Sequence, residues 1–207
     1  MARTRKDLTA SLIIGAAVGL LIQPILANTL ASVHLTLAMR AGIFIFFTAF
    51  APFALWLCSV IAKIWKAFYQ FGQFAAVGTL NSFIDIGVFN LETFLYGGAI
   101  STPLFAVFKA ISFLCATTNS FFWNRNWTFG STDKVNVGEV TGFYTVAIIG
   151  WVANVGVSTL VKSIGPETKL WIDIVAPVCG ILVTFIWNFV GYKYFVFKKR
   201  APVIAPN

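Results

Sequence analysis

Six apolar runs divide this chain: Leu8–Ala27, Gly42–Ile64, Phe74–Tyr96, Pro103–Trp123, Phe143–Ile164 and Leu170–Tyr192. Each approaches the length of about 20 residues that carries a helix across a bilayer at 1.5 Å rise per residue. The pattern predicts an all-α membrane protein with six transmembrane helices. Short connections rich in turn-forming or charged residues separate the runs, among them Gly97-Gly98, Ser101-Thr102-Pro103, Ser131-Thr132-Asp133-Lys134 and Gly165-Pro166-Glu167. Composition agrees: 11% of the residues are charged and 58% hydrophobic, whereas a soluble domain carries about a quarter charged. Too few charges remain to cover a water-facing surface, so lipid is the solvent.

Net charge is +8, from 15 Lys and Arg against 7 Asp and Glu. In a soluble chain that excess would point to nucleic acid. Here the basic residues flank apolar runs, as the positive-inside rule requires, and no nucleic-acid partner is expected. With the N-terminus cytoplasmic, Arg3, Arg5, Lys6, Lys63, Lys66, Arg125, Lys134, Lys193, Lys198, Lys199 and Arg200 fall inside. Only Arg40, Lys162 and Lys169 fall outside. The asymmetry predicts a multi-pass protein of the cytoplasmic (inner) membrane with both termini cytoplasmic. The basic start before the first run also resembles a signal peptide, but no clean small-residue cleavage site stands near Leu26-Ala27-Asn28, and retention is the expectation.

The stretch Lys63–Gln73 mixes aromatic and basic residues and reads as an interfacial amphipathic segment. Cys58, Cys115 and Cys179 lie singly in apolar runs, and His34 is the one histidine. No disulfide framework or metal site is expected from them.

The last four runs repeat. Phe121, Arg125, Trp127 and Phe129 correspond to Phe189, Lys193, Phe195 and Phe197 at a shift of 68; Asp85-Ile-Gly-Val corresponds to Asn154-Val-Gly-Val at a shift of 69. A shared offset at two separated places argues for duplication of one hairpin, giving two parallel-repeat hairpins. The predicted organisation is an N-terminal accessory transmembrane hairpin (1–68), a four-helix transmembrane domain (69–200) and a disordered tail (201–207). The accessory hairpin carries few polar residues and suits packing or partner contact.

Polar side chains inside the later runs carry the functional signal. A charge at bilayer depth costs about 2.5–3.5 kcal/mol on insertion scales, so it needs a partner, water or a ligand. Asn81, Asp85 and Glu92 share one helical face, with Asp85 near the middle of its run; Lys109, Ser112 and Asn119 share a face of the next. Asn154, Ser158 and Lys162 repeat the pattern more weakly, and Asp173, Pro177, Gly180, Thr184 and Asn188 line the last helix. These stripes predict a shared polar interior or groove. Asp85 and Lys109 could alternatively form a buried pair that only fixes packing, and the amides could serve as helix–helix glue. Glu92, Asp173 and Lys162 lie close enough to the outer face to reach water. Arg125 and Lys193, at equivalent inner-edge positions, suit either snorkelling or capture of an anionic headgroup. No phosphate loop, dinucleotide fingerprint or hydrolytic constellation is present, so neither an enzyme nor a cofactor is expected.

The elements Phe74-Ala-Ala-Val-Gly78, Asp85, Lys109, Asn124-Arg-Asn-Trp127-Thr-Phe129 and Lys193-Tyr-Phe-Val-Phe197 resemble the GtrA-like family over about residues 70–200. The second motif departs, with Tyr192-Lys193 in place of Asn-Arg, and two extra helices precede the unit. The resemblance implies translocation (flipping) of a polyprenyl-phosphate-linked sugar across the cytoplasmic membrane for cell-surface polysaccharide synthesis or modification. On that implication Arg125 and Lys193, with Asn124, Trp127 and Asn188 nearby, receive the phosphate at the inner leaflet. Asn81, Asp85 and Asn119 bond the sugar, and Lys109 takes the phosphate toward the outer half. The implied partners are the sugar lipid and membrane lipids, with room for a glycosyltransferase or a second copy of the chain. Two other readings stay open: a small ion-coupled exporter with Asp85 as its site, and a non-transporting membrane anchor for a glycosyltransferase.

Overall fold

The computed structural model describes residues 4–29, 35–65, 67–98, 101–168, 171 and 175–197. His34, Lys169, Asp173 and the 201–207 tail lie outside the described residues. The regular elements among the described residues are all helical, with α1 (Arg5–Thr29), α2 (Leu37–Ile61), α3 (Ala67–Tyr96), α4 (Thr102–Trp123), α5 (Val137–Ile164) and α6 (Ala176–Gly191). Six helices are long and apolar enough to cross a membrane, so the chain is an all-α, multi-pass membrane protein. Two compact units divide it, residues Met1–Gly130 and Ser131–Asn207.

Local signals set most of the ends. Thr4 and Asp7 form a reciprocal capping box on α1: Thr4 Oγ1 accepts from the Asp7 amide at 3.2 Å, and Asp7 Oδ2 accepts from the Thr4 amide at 2.9 Å. Thr36 caps α2 and Asn136 caps α5 through their side chains. Pro103 and Pro177 fall in the first turns of α4 and α6, where a missing N–H costs nothing. Pro177 thus stands in the first turn of α6.

The helices α3, α4 and α5 end at Tyr96, Trp123 and Ile164, where the sequence places them. The start of α3 differs. The run expected to begin at Phe74 already begins at Ala67, after a turn over Ala62–Ile64, so α3 takes in part of the Lys63–Gln73 stretch. Tyr69 and Gln73 are buried on its inward face, where Gln73 bonds Asp7, while Trp65 just before it stays exposed. With 30 residues, α3 is about 45 Å long and exceeds the hydrocarbon thickness of about 30 Å.

In the first unit, Ala10, Ile14 and Val18 of α1 pack with Leu55 of α2 and with Val77 and Leu80 of α3. Lipid tails are as apolar as these side chains, so close packing and polar bonds hold the helices together, not the hydrophobic effect. One such bond joins α1 to α2, where Gln23 donates to the Arg40 carbonyl at 3.1 Å. Large apolar side chains on the outer faces, such as Leu20, Ile45, Phe94 and Trp56, are exposed, as lipid contact requires.

In the second unit, α5 and α6 close on small residues. Gly180 backs directly onto Ser158 and the Asn154 carbonyl, and Thr184 Oγ1 donates to the Gly150 carbonyl at 2.8 Å. The polar stripe of α6 thus forms the seam with α5.

Candidate functional site

Both hairpins end in the same irregular device. After α4, residues Asn124–Thr128 form a π-helical turn, and after α6, residues Tyr192–Val196 do the same. In each, the amide five residues on closes the ring: Phe129 N to Asn124 O and Phe197 N to Tyr192 O, both 2.8 Å. The two turns are offset by 68 residues, the period read from the sequence. π-turns are rare and concentrate at functional positions. In the first, Asn124, Arg125, Trp127 and Thr128 are all buried, and Gly130 follows in the left-handed conformation at φ 60°.

The turn is tied down by the start of the chain. Asp7 Oδ1 accepts from the Trp127 indole N–H at 3.0 Å and from Gln73 Nε2 at 3.0 Å. Gln70 Nε2 donates to the Thr128 carbonyl at 3.0 Å. Asp7 is buried, and a carboxylate so placed is stable only because donors surround it.

Toward the opposite end of the hairpin lies the charged cluster. Lys109 Nζ stands 2.8 Å from Asp85 Oδ2, and Ser112 Oγ donates to Asp85 Oδ1 at 2.6 Å. Ser112 is fully buried, but the side chains of Lys109 and Asp85 remain 39% and 29% exposed. The pair is satisfied without being sealed. Asp85 sits about 5 Å past the midpoint of α3 toward Tyr96. Lys109 also lies over the Phe89 ring, 5.4 Å from its centroid.

Between this cluster and the π-turn, Asn119 Nδ2 donates to Asn81 Oδ1 at 2.7 Å. Asn119 also lines an open cleft of about 270 Å³, with Lys6 and Asn126 as its other polar residues. Trp123, Trp127 and Phe122 supply its ring walls; the two indoles meet edge to face at 5.9 Å. Lys6 Nζ donates to the Asn126 carbonyl at 2.8 Å. Glu92, expected to reach water, has one carboxylate oxygen, Oε2, covered and without a partner among the described residues.

The structure thus brings Asp85 to Lys109 and Asn81 to Asn119, and places Asn119 and Trp127 on one cleft. Asn124 is fully buried and donates to Ser120 Oγ at 3.0 Å. Arg125 is only 6% exposed and is engaged within the protein, so its guanidinium is not an open surface cation. In the second unit Asn188 packs on Gly150, and Lys193 lies over the rings of Phe189 and Tyr194 at 5.4 and 5.7 Å.

The second hairpin does not repeat the charges. At the same offsets Asp85, Lys109 and Ser112 become Asn154, Pro177 and Gly180. Asn124 becomes Tyr192, which stacks on Phe143 at 4.1 Å. This aromatic stack fills the place of the amide and accounts for the departure of the second motif from the first. Lys6 and Asp7 carry no signal in the repeat, since they precede it. Their one sequence clue is an acidic residue set among Arg3, Arg5 and Lys6, where topology favours cations.

Two transmembrane hairpins that end in matching π-turns, with a charged, accessible polar cluster on the first, define a class of polytopic membrane protein. Residues 73–197 match the family described as GtrA/DPMS, transmembrane domain, and the chain belongs to that family. It is 28% identical over 126 residues to a Bacillus subtilis (strain 168) protein described as "Uncharacterized membrane protein YngA", covering 61% of this chain and 78% of that one. No solved structure matches the chain.

Proposed function

We propose that this protein translocates a polyprenyl-phosphate-linked sugar across the cytoplasmic membrane, in the service of cell-surface polysaccharide synthesis or modification, and that it does so as a carrier without catalysing a covalent step. The observation that carries this reading is the continuity of polar groups along α3 and α4. Asn119 bonds Asn81, which stands one helical turn from Asp85, and lines the Lys6–Asn126 cleft. Together these groups mark a line from the π-turn to the Asp85–Lys109–Ser112 cluster.

A sugar headgroup cannot cross hydrocarbon unaided, because each unpaired hydroxyl costs about 4–8 kcal/mol in a medium that cannot hydrogen-bond. Amide pairs and a partly exposed ion pair can exchange their mutual bonds for bonds to sugar hydroxyls, so the headgroup stays paired as it moves. Lys109 supplies positive charge for the phosphate at the far end, and the polyprenyl tail remains in lipid. The Lys and Arg distribution supports a cytoplasmic position for both termini, which puts the π-turn end at the inner leaflet.

The test is reconstitution in liposomes holding a labelled polyprenyl-phosphate sugar, following arrival of label in the opposite leaflet. Wild-type protein should speed arrival over empty vesicles, and Lys109→Ala should reduce it at least about tenfold, the loss of one charge-assisted contact. Equal rates for empty and protein-containing vesicles, with folded protein verified, would reject translocation. Ion-coupled export and glycosyltransferase anchoring would then be the readings left.

A further inference from the structure

The helix α1 precedes the family-matched residues 73–197, yet it provides the cation of the cleft. We propose that this cleft is a phosphate-ester site in which Lys6 of the added N-terminal helix is the anion-binding residue. The proposal rests on the translocation reading for the lipid's identity, but its geometry is independent of it.

Three observations carry it. First, Lys6 is exposed, with its ammonium 2.8 Å from the Asn126 carbonyl. An ammonium has three N–H donors, so one bond fixes its position and capacity remains for a phosphate oxygen. Second, the neighbouring Asp7 is held by Thr4, Gln73 and Trp127. Lys6 is therefore mounted on an anchored turn, and the Trp127 indole edge is committed to Asp7, leaving its ring on the cleft wall. Third, the other lining residues are complementary to a glycosylated phosphate: Asn119 and Asn126 offer polar groups for hydroxyls, and Trp123 and Phe122 an apolar face for the sugar ring. About 270 Å³ is just below the range of about 300–1,000 Å³ typical of whole small-molecule sites, a size that suits a headgroup whose tail lies elsewhere. Arg125, the motif's own cation, is buried and engaged, which leaves this role to Lys6.

The experiment is equilibrium binding to the full-length protein in nanodiscs, without any transport step. The probes are a short-chain polyprenyl phosphate, the uncharged polyprenol and inorganic phosphate, each with wild type, Lys6→Gln and Lys6→Arg. Lys6→Gln should weaken polyprenyl phosphate binding roughly tenfold, as expected for loss of a charged hydrogen bond. Lys6→Arg should stay within about threefold, since the charge is kept, and polyprenol should bind all three proteins alike. Wild-type affinity of Lys6→Gln for polyprenyl phosphate, or an equal loss for polyprenol, overturns the proposal. Inorganic phosphate binding as tightly as the lipid, with the same Lys6 dependence, supports the anion site and moves its source to free phosphate. A wild type that binds with this Lys6 dependence but does not flip lipid would defeat translocation and leave the Lys6 site standing.

Discussion

The indole N–H of Trp127 donates to Asp7 Oδ1 at 3.0 Å, joining the aromatic motif after α4 to the first turn of α1 across 120 residues of chain. Gln73 of α3 bonds the same oxygen, so three helical elements meet at one carboxylate. The accessory helix is consequently part of the motif's support.

Removing that carboxylate should be costly. Asp7→Ala leaves the Trp127 and Gln73 donors buried without a partner and opens the capping box, and should destabilise the protein by about 3 kcal/mol, near 1 kcal/mol per lost bond. Unfolding in mixed micelles measures it. A double-mutant cycle with Trp127→Phe should return a coupling of about 1–2 kcal/mol; additive losses would show that the bond is incidental.

The Asp85–Lys109 pair separates structure from transport. Asp85→Asn and Lys109→Met each strand one charge within a membrane helix, and each should lower stability by about 2 kcal/mol, reduced from the fully buried case because both side chains are partly exposed. The double substitution should recover most of that loss while leaving liposome translocation at background. Recovery of transport together with stability would assign the pair to packing alone.

Close approach in the second unit predicts a steric failure. A Cβ on Gly180 would collide with Ser158 Oγ and the Asn154 carbonyl, so Gly180→Leu should force α5 and α6 apart at a cost above about 2 kcal/mol. Cysteine pairs placed across this seam should then cross-link more slowly than in the otherwise unchanged protein.

Backbone strain alone is isolated at Gly130. Nothing lies near its missing Cβ, but its φ is 60°, so Gly130→Ala should cost about 1 kcal/mol and Gly130→Asn less. Thermal unfolding of the two variants side by side tests that order.

Much of this was legible in residues alone. The run ends at Tyr96, Trp123 and Ile164 are the helix ends because a Gly pair, a π-turn motif and Gly-Pro follow them. The Asp85–Lys109 contact was anticipated as a possibility because charges at membrane depth demand partners. The repeat period reappears as two π-turns at matching positions. Less legible was the start of α3, since an aromatic and basic composition describes an interface and an inward helix face equally well. The burial of Arg125 was hidden for a related reason: hydropathy assigns a depth along the membrane normal and says nothing about which side of a helix meets protein.

Sequence by itself determined that lipid is the solvent, how many helices cross it, and which side chains are too costly there to be idle, because all three follow from transfer free energies summed along the chain. Only the tertiary structure decided which polar groups meet. Asp7 and Trp127 stand 120 residues apart, and the Lys6 cleft is drawn from α1, α4 and the π-turn that follows α4. Such pairings depend on helix rotation and packing, which no local pattern in the chain encodes.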